Sequence, residues 1–233
     1  MELSRSLAER DLEGLRALDT CMVANAVETF NMRLRNTGFT GAGIRCMFED
    51  APPMVGYAVT ARLRTDEPPM GGGTFHDRSD FWNAILQVPA PRVLVLEDMD
   101  DRPGRGAFLG DVHASILRAL GCVGYVTNGA VRELPSVLTS GIQLFAGNVA
   151  VSHAYAHIFD VGVKISVGGM EVVPGQLLHG DRHGVLGVPL EIAAQVPRIA
   201  AAMQRAEQTV IEFCRSGSFS ISGLQELMKN NSI

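Results

Sequence analysis

The stretch from Arg92 to Ala146 constrains the fold more than any other part of the chain. It opens with a short apolar run, Arg92–Leu96 (RVLVL), which has the length and β-branched character of a buried strand. An acidic loop follows (97–101), then apolar positions at helical spacing over 111–120 and a second strand-like run at 122–128. A short helix near 133–139 and a third strand-like run at 142–146 complete the series. Strands alternating with helices predict βαβ units and an at least partly parallel sheet. Ligands bind such sheets in the crevice beyond the carboxyl ends of the strands. Function is therefore expected in the loops after Leu96 and after residue 128.

The flanking segments read differently. Leu3, Leu7, Leu12, Leu15 and Leu18 recur as on one face of a helix over 3–18, and Asp19-Thr20 reads as the cap of a second helix over 21–30. Residues 31–53 carry Gly38, Gly41, Gly43 and two prolines and read as loop or short strand, whereas Val55–Leu63 reads as a strand. Pro68-Pro69 and Gly71-Gly72-Gly73-Thr74 make a loop: either its backbone N–H groups receive an anion or it is merely flexible. Ser79–Val88 has helical spacing. Beyond residue 159, short alternating segments broken by Gly and Pro predict hairpins. Pro189 then opens a long helix to about residue 214, and a last helix covers 221–229. The expectation is one domain over 1–233, with helices at 1–30 and 190–233.

Composition narrows the function classes. At 233 residues with 46% hydrophobic and 19% charged residues, the chain has an ordinary globular balance and enough length for a substantial core. Its formal charge of −5 argues against nonspecific nucleic-acid binding, which needs clustered Lys and Arg. Cys21, Cys46, Cys122 and Cys214 are dispersed with no CxxC pair, as expected of free thiols in a reducing cytoplasm. Residues 1–5 do not resemble a signal peptide, and the apolar runs fall far short of the ~20 residues that cross a bilayer. The expected setting is cytoplasmic, with neither membrane nor nucleic-acid partner.

The chemistry concentrates in residues 108–137. Gly110-Asp111 opens the predicted 111–120 helix, and the following strand ends in Gly129-Ala130-Val131-Arg132-Glu133. The unit therefore sends Asp111 and an Arg132-Glu133 pair toward one edge of a sheet. The planar fork of Arg132 suits a carboxylate, and Glu133 suits a hard cation that keeps most of its octahedron as water. Asp111 sits where a helix dipole stabilises negative charge, and the N–H groups of Val112 and His113 can receive an anion. A plain helix cap and a surface ion pair fit the same spacing. His153/His157 and His179/His183 have the i, i+4 spacing of zinc ligands on a helix, yet neither forms HExxH, and surface or partly buried histidines also fit. No GxSxG or Cys-His arrangement supports nucleophilic hydrolysis. His113, the one histidine in this segment, is a candidate acid or base.

At these residues the chain resembles the RraA-like family, which includes 4-hydroxy-4-methyl-2-oxoglutarate/4-carboxy-4-hydroxy-2-oxoadipate aldolases. The shared pattern is Gly110-Asp111, then Gly129-Ala130-Val131-Arg132 with twenty residues between Asp111 and Arg132, followed by an acid. The family's Pro-Gly-Asp segment and its later Gly-Val strand ending in Pro correspond to Val173-Pro174-Gly175-Gln176 and to Asp181–Pro189. The resemblance covers roughly residues 15–200. It implies an α/β fold, a swivelling-domain-like α/β/β/α sandwich with a partly parallel central sheet, assembled as homotrimers or homohexamers. It also implies cleavage of 4-hydroxy-2-oxo acids to pyruvate and decarboxylation of oxaloacetate. Glu133 would then bind Mg2+ or Mn2+ and Asp111 would hold it through water. Arg132 would bind the substrate with help from Gly110, Val112 and His113, and the base would be a water held by Asp111, or His113. The alternative within the family is a non-catalytic regulator that contacts a ribonuclease. Three features depart from the aldolase pattern: Glu133 stands where Asp is usual, Gln176 replaces Asp, and 97–107 differs from the Gly-rich loop common in the aldolases. Asp181 is a weak candidate for a residue supplied across a subunit boundary.

Overall fold

The computed structural model describes residues 6–70 and 79–231. The Gly71–Thr74 loop and the start of the first leucine-spaced segment lie outside them. In chain order the first half comprises α1 (Glu9–Arg16), α2 (Thr20–Glu28), β1 (Arg45–Cys46), β2 (Met54–Arg64), α3 (Ser79–Leu86), β3 (Arg92–Asp98), β4 (Ala107–Leu109) and α4 (Asp111–Ala119). The middle comprises β5 (Cys122–Thr127), β6 (Ala130–Val131), α5 (Leu134–Thr139), β7 (Gln143–Ala146), β8 (Asn148–Val149) and β9 (His157–Val161). The remainder is β10 (Ile165–Val167), β11 (Met170–Val172), β12 (Leu177–Asp181), β13 (Gly184–Val188), α6 (Leu190–Ala193), α7 (Val196–Arg215) and α8 (Ile221–Asn231).

The main sheet runs β1-β7-β5-β3-β2-β12-β13, with β9 also paired to β2. Its centre, β7-β5-β3-β2, is parallel, as the alternation at 92–146 predicts. The pairings of β1, β9, β12 and β13 are antiparallel, which gives the hairpin texture of the later sequence. Side chains alternate between the two faces with the strand period of two. Val55, Tyr57, Val59, Ala61 and Leu63 of β2, with Leu94 and Leu96 of β3, join a cluster fed by helices α1–α7. Met54 and Ala58, with Val93 and Val95, turn the other way toward Ile165, Val167, Met170 and Val172 of the β10–β11 hairpin. Both faces are thus covered, and the central strands read as continuous apolar runs.

A smaller parallel sheet, β4-β6-β8, sends Leu109 and Val131 into the helix-side cluster. β4 and β6 lead directly into the starts of α4 and α5.

Asp19 caps α2 as expected, its side chain accepting from the Met22 N–H at 2.7 Å. The single long helix expected from Pro189 is instead two, α6 and α7. Pro197 lacks an N–H and is tolerated only in a first turn, so the helix restarts at Val196. Among the described residues no helix is long and apolar enough to cross a membrane.

Candidate active site

The ends of β4 and β6 lie side by side, so the residues that follow them meet. The Arg132 N–H donates to the Leu109 carbonyl at 3.0 Å, extending the β4–β6 ladder by one step. Gly110 is the N-cap of α4, and Glu133 is the N-cap of α5. Across this junction Glu133 Oε2 accepts from the Asp111 N–H at 2.9 Å, while Oε1 accepts from Arg132 Nη2 at 2.5 Å. The Glu133 carboxylate therefore lies over the first turn of α4, clamped between a backbone donor and a guanidinium.

Two backbone features make room for this. A Cβ on Gly110 would stand 2.5 Å from Glu133 Oε2, so only glycine allows the carboxylate so close. Glu133 itself has φ 56° and ψ 39°, a left-handed conformation that is strained for a residue with a side chain. Strain of this kind persists only where the surroundings fix it, and it concentrates at functional sites.

The electrostatics follow from the same contacts. The hydrogen bond from the Asp111 N–H, and then the one from Arg132, hold the Glu133 carboxyl below its ordinary value, and His153 adds to this through space. Glu133 is thus a carboxylate throughout the neutral range. Asp111 and Val112 are exposed on the first turn, whereas the His113 ring is buried beside Phe108 (centroids 4.6 Å apart) and Trp82 (6.0 Å). The edge combines a cation, two carboxylates and the positive end of a nine-residue helix. That set can orient a small oxo acid and stabilise negative charge developing on it.

A sequence model described as Aldolase/RraA matches residues 10–186. The chain belongs to the RraA-like family. A Halalkalibacterium halodurans protein named "Putative 4-hydroxy-4-methyl-2-oxoglutarate aldolase" is 31% identical over 84 residues, which are 36% of this chain and 40% of that protein. The match therefore spans well under half of that relative. An uncharacterized protein from Pseudomonas syringae has a crystal structure with a TM-score of 0.74 at 24% identity, covering 99% of this chain and 97% of the other. Streptomyces coelicolor RraAS2, described as an unusual member of the RNase ES inhibitor RraA protein family, gives a TM-score of 0.67 at 18% identity, over 91% and 98% of the two chains. At these identities the structures support the RraA-like fold and nothing finer.

The Gly110-Asp111 and Arg132-Glu133 part of the RraA-like pattern lies within this junction, and Gly110, Asp111, Val112, His113, Arg132 and Glu133 all fall there. The structure adds His153, which the sequence suggested only as half of a zinc pair. The chain after β8 folds back so that Ser152 O accepts from the Ala107 N–H at 2.9 Å and His153 Nδ1 lies 2.6 Å from Ala107 O. The His153 ring then stands 6.4 Å from His113. A third short parallel strand ending at the same edge was the available signal, and two residues are too few to read as one.

Neither histidine pair has the helical geometry that zinc spacing requires. His153 lies in a loop and His157 begins β9. His179 is buried in β12, with Nδ1 3.0 Å from Thr20 Oγ1 and Nε2 3.0 Å from Leu15 O. His183 is in the β12–β13 turn, where Asp181 Oδ1 accepts from its backbone N–H at 2.9 Å. Among the described residues no group of three or more His, Cys, Asp or Glu is placed to hold a metal ion. The acidic segment at 97–101 is structural in part. Asp98 is buried and accepts from the Gly104 and Asp100 N–H groups, and Asp100 accepts from those of Thr65 and Asp66.

Proposed function

We propose that this RraA-like chain is a divalent-metal-dependent carbon–carbon lyase that cleaves a 4-hydroxy-2-oxo acid to pyruvate, decarboxylates oxaloacetate, or does both. The observation that carries the reading is the Glu133 carboxylate clamped between Arg132 and the first N–H of α4. An ionised acid held by a strained backbone beside a guanidinium at an exposed helix start is equipped to meet a cation and an anionic substrate.

The residues present fit magnesium or manganese. Asp111 and Glu133 would supply an all-oxygen pair, and among the described residues no group of three or more His, Cys, Asp or Glu is placed to hold a metal ion. Hard cations that keep several waters accept such a set, and zinc does not favour it. When bound, the cation supplies Lewis-acid stabilisation of charge on the substrate's oxygens.

The chain's own residues do the rest. Arg132 spends one N–H on Glu133 and offers its remaining donors to the substrate carboxylate and 2-oxo oxygen. The Val112 N–H, on the exposed first turn, adds a donor from the positive end of α4. Asp111 holds a water that takes the 4-hydroxyl proton. The C3–C4 bond then breaks, C4 becomes a carbonyl, and the electron pair passes into the pyruvate enolate, which is protonated at C3. Loss of carbon dioxide from oxaloacetate leaves the same enolate, so one set of donors serves both reactions. The buried His113 ring is less suited to meet a substrate than Asp111. We take the assembly to be a homotrimer or homohexamer, which light scattering would distinguish.

The test is pyruvate release from oxaloacetate and a panel of 4-hydroxy-2-oxo acids, with magnesium or manganese and then with EDTA. Turnover that EDTA abolishes and metal restores is the expected result. Folded protein that turns over none of these substrates overturns the proposal, and co-purification with a ribonuclease would then favour the regulator.

A further inference from the structure

The Pro174–Gln176 turn, where this chain departs from Pro-Gly-Asp, plays no part in the site above. It forms one wall of a groove of about 530 Å3, with Arg33 and Gly187 on others and the β10–β11 hairpin at the rim. Arg33 is half-buried, and its Nη1 donates to the Gly187 carbonyl at 2.8 Å. Gln176 Oε1 accepts from the Val173 N–H at 3.1 Å, which fixes the amide so that its NH2 end lies against Gly187. A Cβ on Gly187 would stand 2.3 Å from that nitrogen. Guanidinium and amide therefore converge on one glycine, and both present donors.

Neither has enough acceptors. Gly187 O is the one protein hydrogen-bond acceptor of the Arg33 side chain among the described residues, so most of its N–H groups have no protein partner. Glu28 acts on Arg33 only through space and is ion-paired to Arg35 at 3.6 Å. Burial accordingly pulls the Arg33 pKa down from its ordinary value. A partly buried cation that is not ion-paired is costly, and an anion arriving from outside would offset that cost. Lys164, also in the groove, is held by Glu171 at 2.6 Å. Glu191 lines it too, which disfavours a polyanion and suits a ligand with one compact anionic group.

We propose that this groove is a second ligand site, in which Arg33 and Gln176 grip the carboxylate or phosphate of a small molecule. Its volume lies within the range of about 300–1,000 Å3 common for small-molecule sites, and a forked guanidinium beside an amide donor matches a planar or tetrahedral oxyanion. The inference is independent of the reaction at the Arg132 edge.

The experiment compares thermal midpoints in succinate, in inorganic phosphate and in sodium chloride of equal ionic strength, for the wild type, Arg33→Gln and Gln176→Glu. At tenfold excess over its dissociation constant, a binding anion should raise the wild-type midpoint by about 3 °C. Arg33→Gln should show no such rise. Gln176→Glu, which places a carboxylate where the amide NH2 lies, should start from a higher midpoint and likewise not respond. Whichever of succinate and phosphate acts identifies the ligand group, and a response to both identifies the shared oxyanion chemistry. An equal rise in all three proteins, or none in the wild type, overturns the proposal. So does a smaller assembly in Arg33→Gln with no anion response in the wild type, since a second copy would then supply the counter-ion.

Discussion

The molecule uses one device twice: a carboxylate from a distant strand end accepts the first backbone N–H of a helix. Glu133 does this for α4 through the Asp111 N–H, and Asp181 does it for α2 through the Thr20 N–H at 2.9 Å. At Asp181 the arrangement is closed. Oδ1 accepts from the His183 N–H, the neighbouring His179 is bonded at both ring nitrogens, and both residues are buried. At Glu133 it is open, with the side chain 39% exposed and the backbone strained. A carboxylate whose acceptors are all used inside the protein is structure. One held in place but left facing solvent beside an arginine is equipped to meet a ligand.

This contrast can be broken by mutation. The largest effect expected is from Arg132→Ala, which should lower metal-dependent pyruvate release by about 100-fold or more while leaving the thermal midpoint nearly unchanged. The reverse pattern is expected at the closed site. Asp181→Ala orphans the N–H groups it serves and should cost about 2 kcal/mol, read as a midpoint roughly 4–8 °C lower, with modest loss of activity per folded molecule. If both variants lose activity and stability in the same proportion, the distinction between the two sites fails.

Smaller effects sharpen it. Gly110→Ala puts a methyl group 2.5 Å from Glu133 Oε2; the carboxylate must swing away, and turnover should fall by about tenfold with little change in unfolding. Acid titration separates the regions again. Burial holds the His179 pKa down, so its stabilising contribution is full above the unfolded value near 6.5 and declines as pH falls below it. Burial works against ionisation of Asp181, but its hydrogen bonds from Thr20 and His183 outweigh this and leave its pKa lowered. Its contribution is present above the unfolded value near 3.9 and is lost as pH falls through the folded one. The slope of midpoint against pH just below about 6.5 should therefore flatten in His179→Gln and persist in Glu133→Gln.

Much of the contrast was legible in the sequence at one end and hardly at all at the other. The α4 edge lies within 22 residues (Asp111 to Glu133), so the βαβ pattern of the sequence alone places Asp111, Arg132 and Glu133 at one edge. That the carboxylate turns back onto the helix start was not legible, because it depends on the left-handed backbone at Glu133, a conformation sequence patterns assign to Gly or Asn. The Thr20–Asp181 contact spans 161 residues, and no local pattern announces it. His179 and His183 invited a metal reading because their spacing imitates a helix, whereas a strand and its turn carry them. The parallel centre of the sheet followed from periodicity. The break between α6 and α7 turned on Pro197, a position rule that an otherwise continuous helical pattern concealed.

The most direct test of the central claim pairs two readings on Glu133→Gln, which removes the charge and keeps the shape. Pyruvate release from oxaloacetate at saturating magnesium should fall by about 100-fold or more while the thermal midpoint stays within about 2 °C of wild type. An unchanged rate in well-folded protein would show that the Glu133 carboxylate takes no part in the chemistry and would contradict the account.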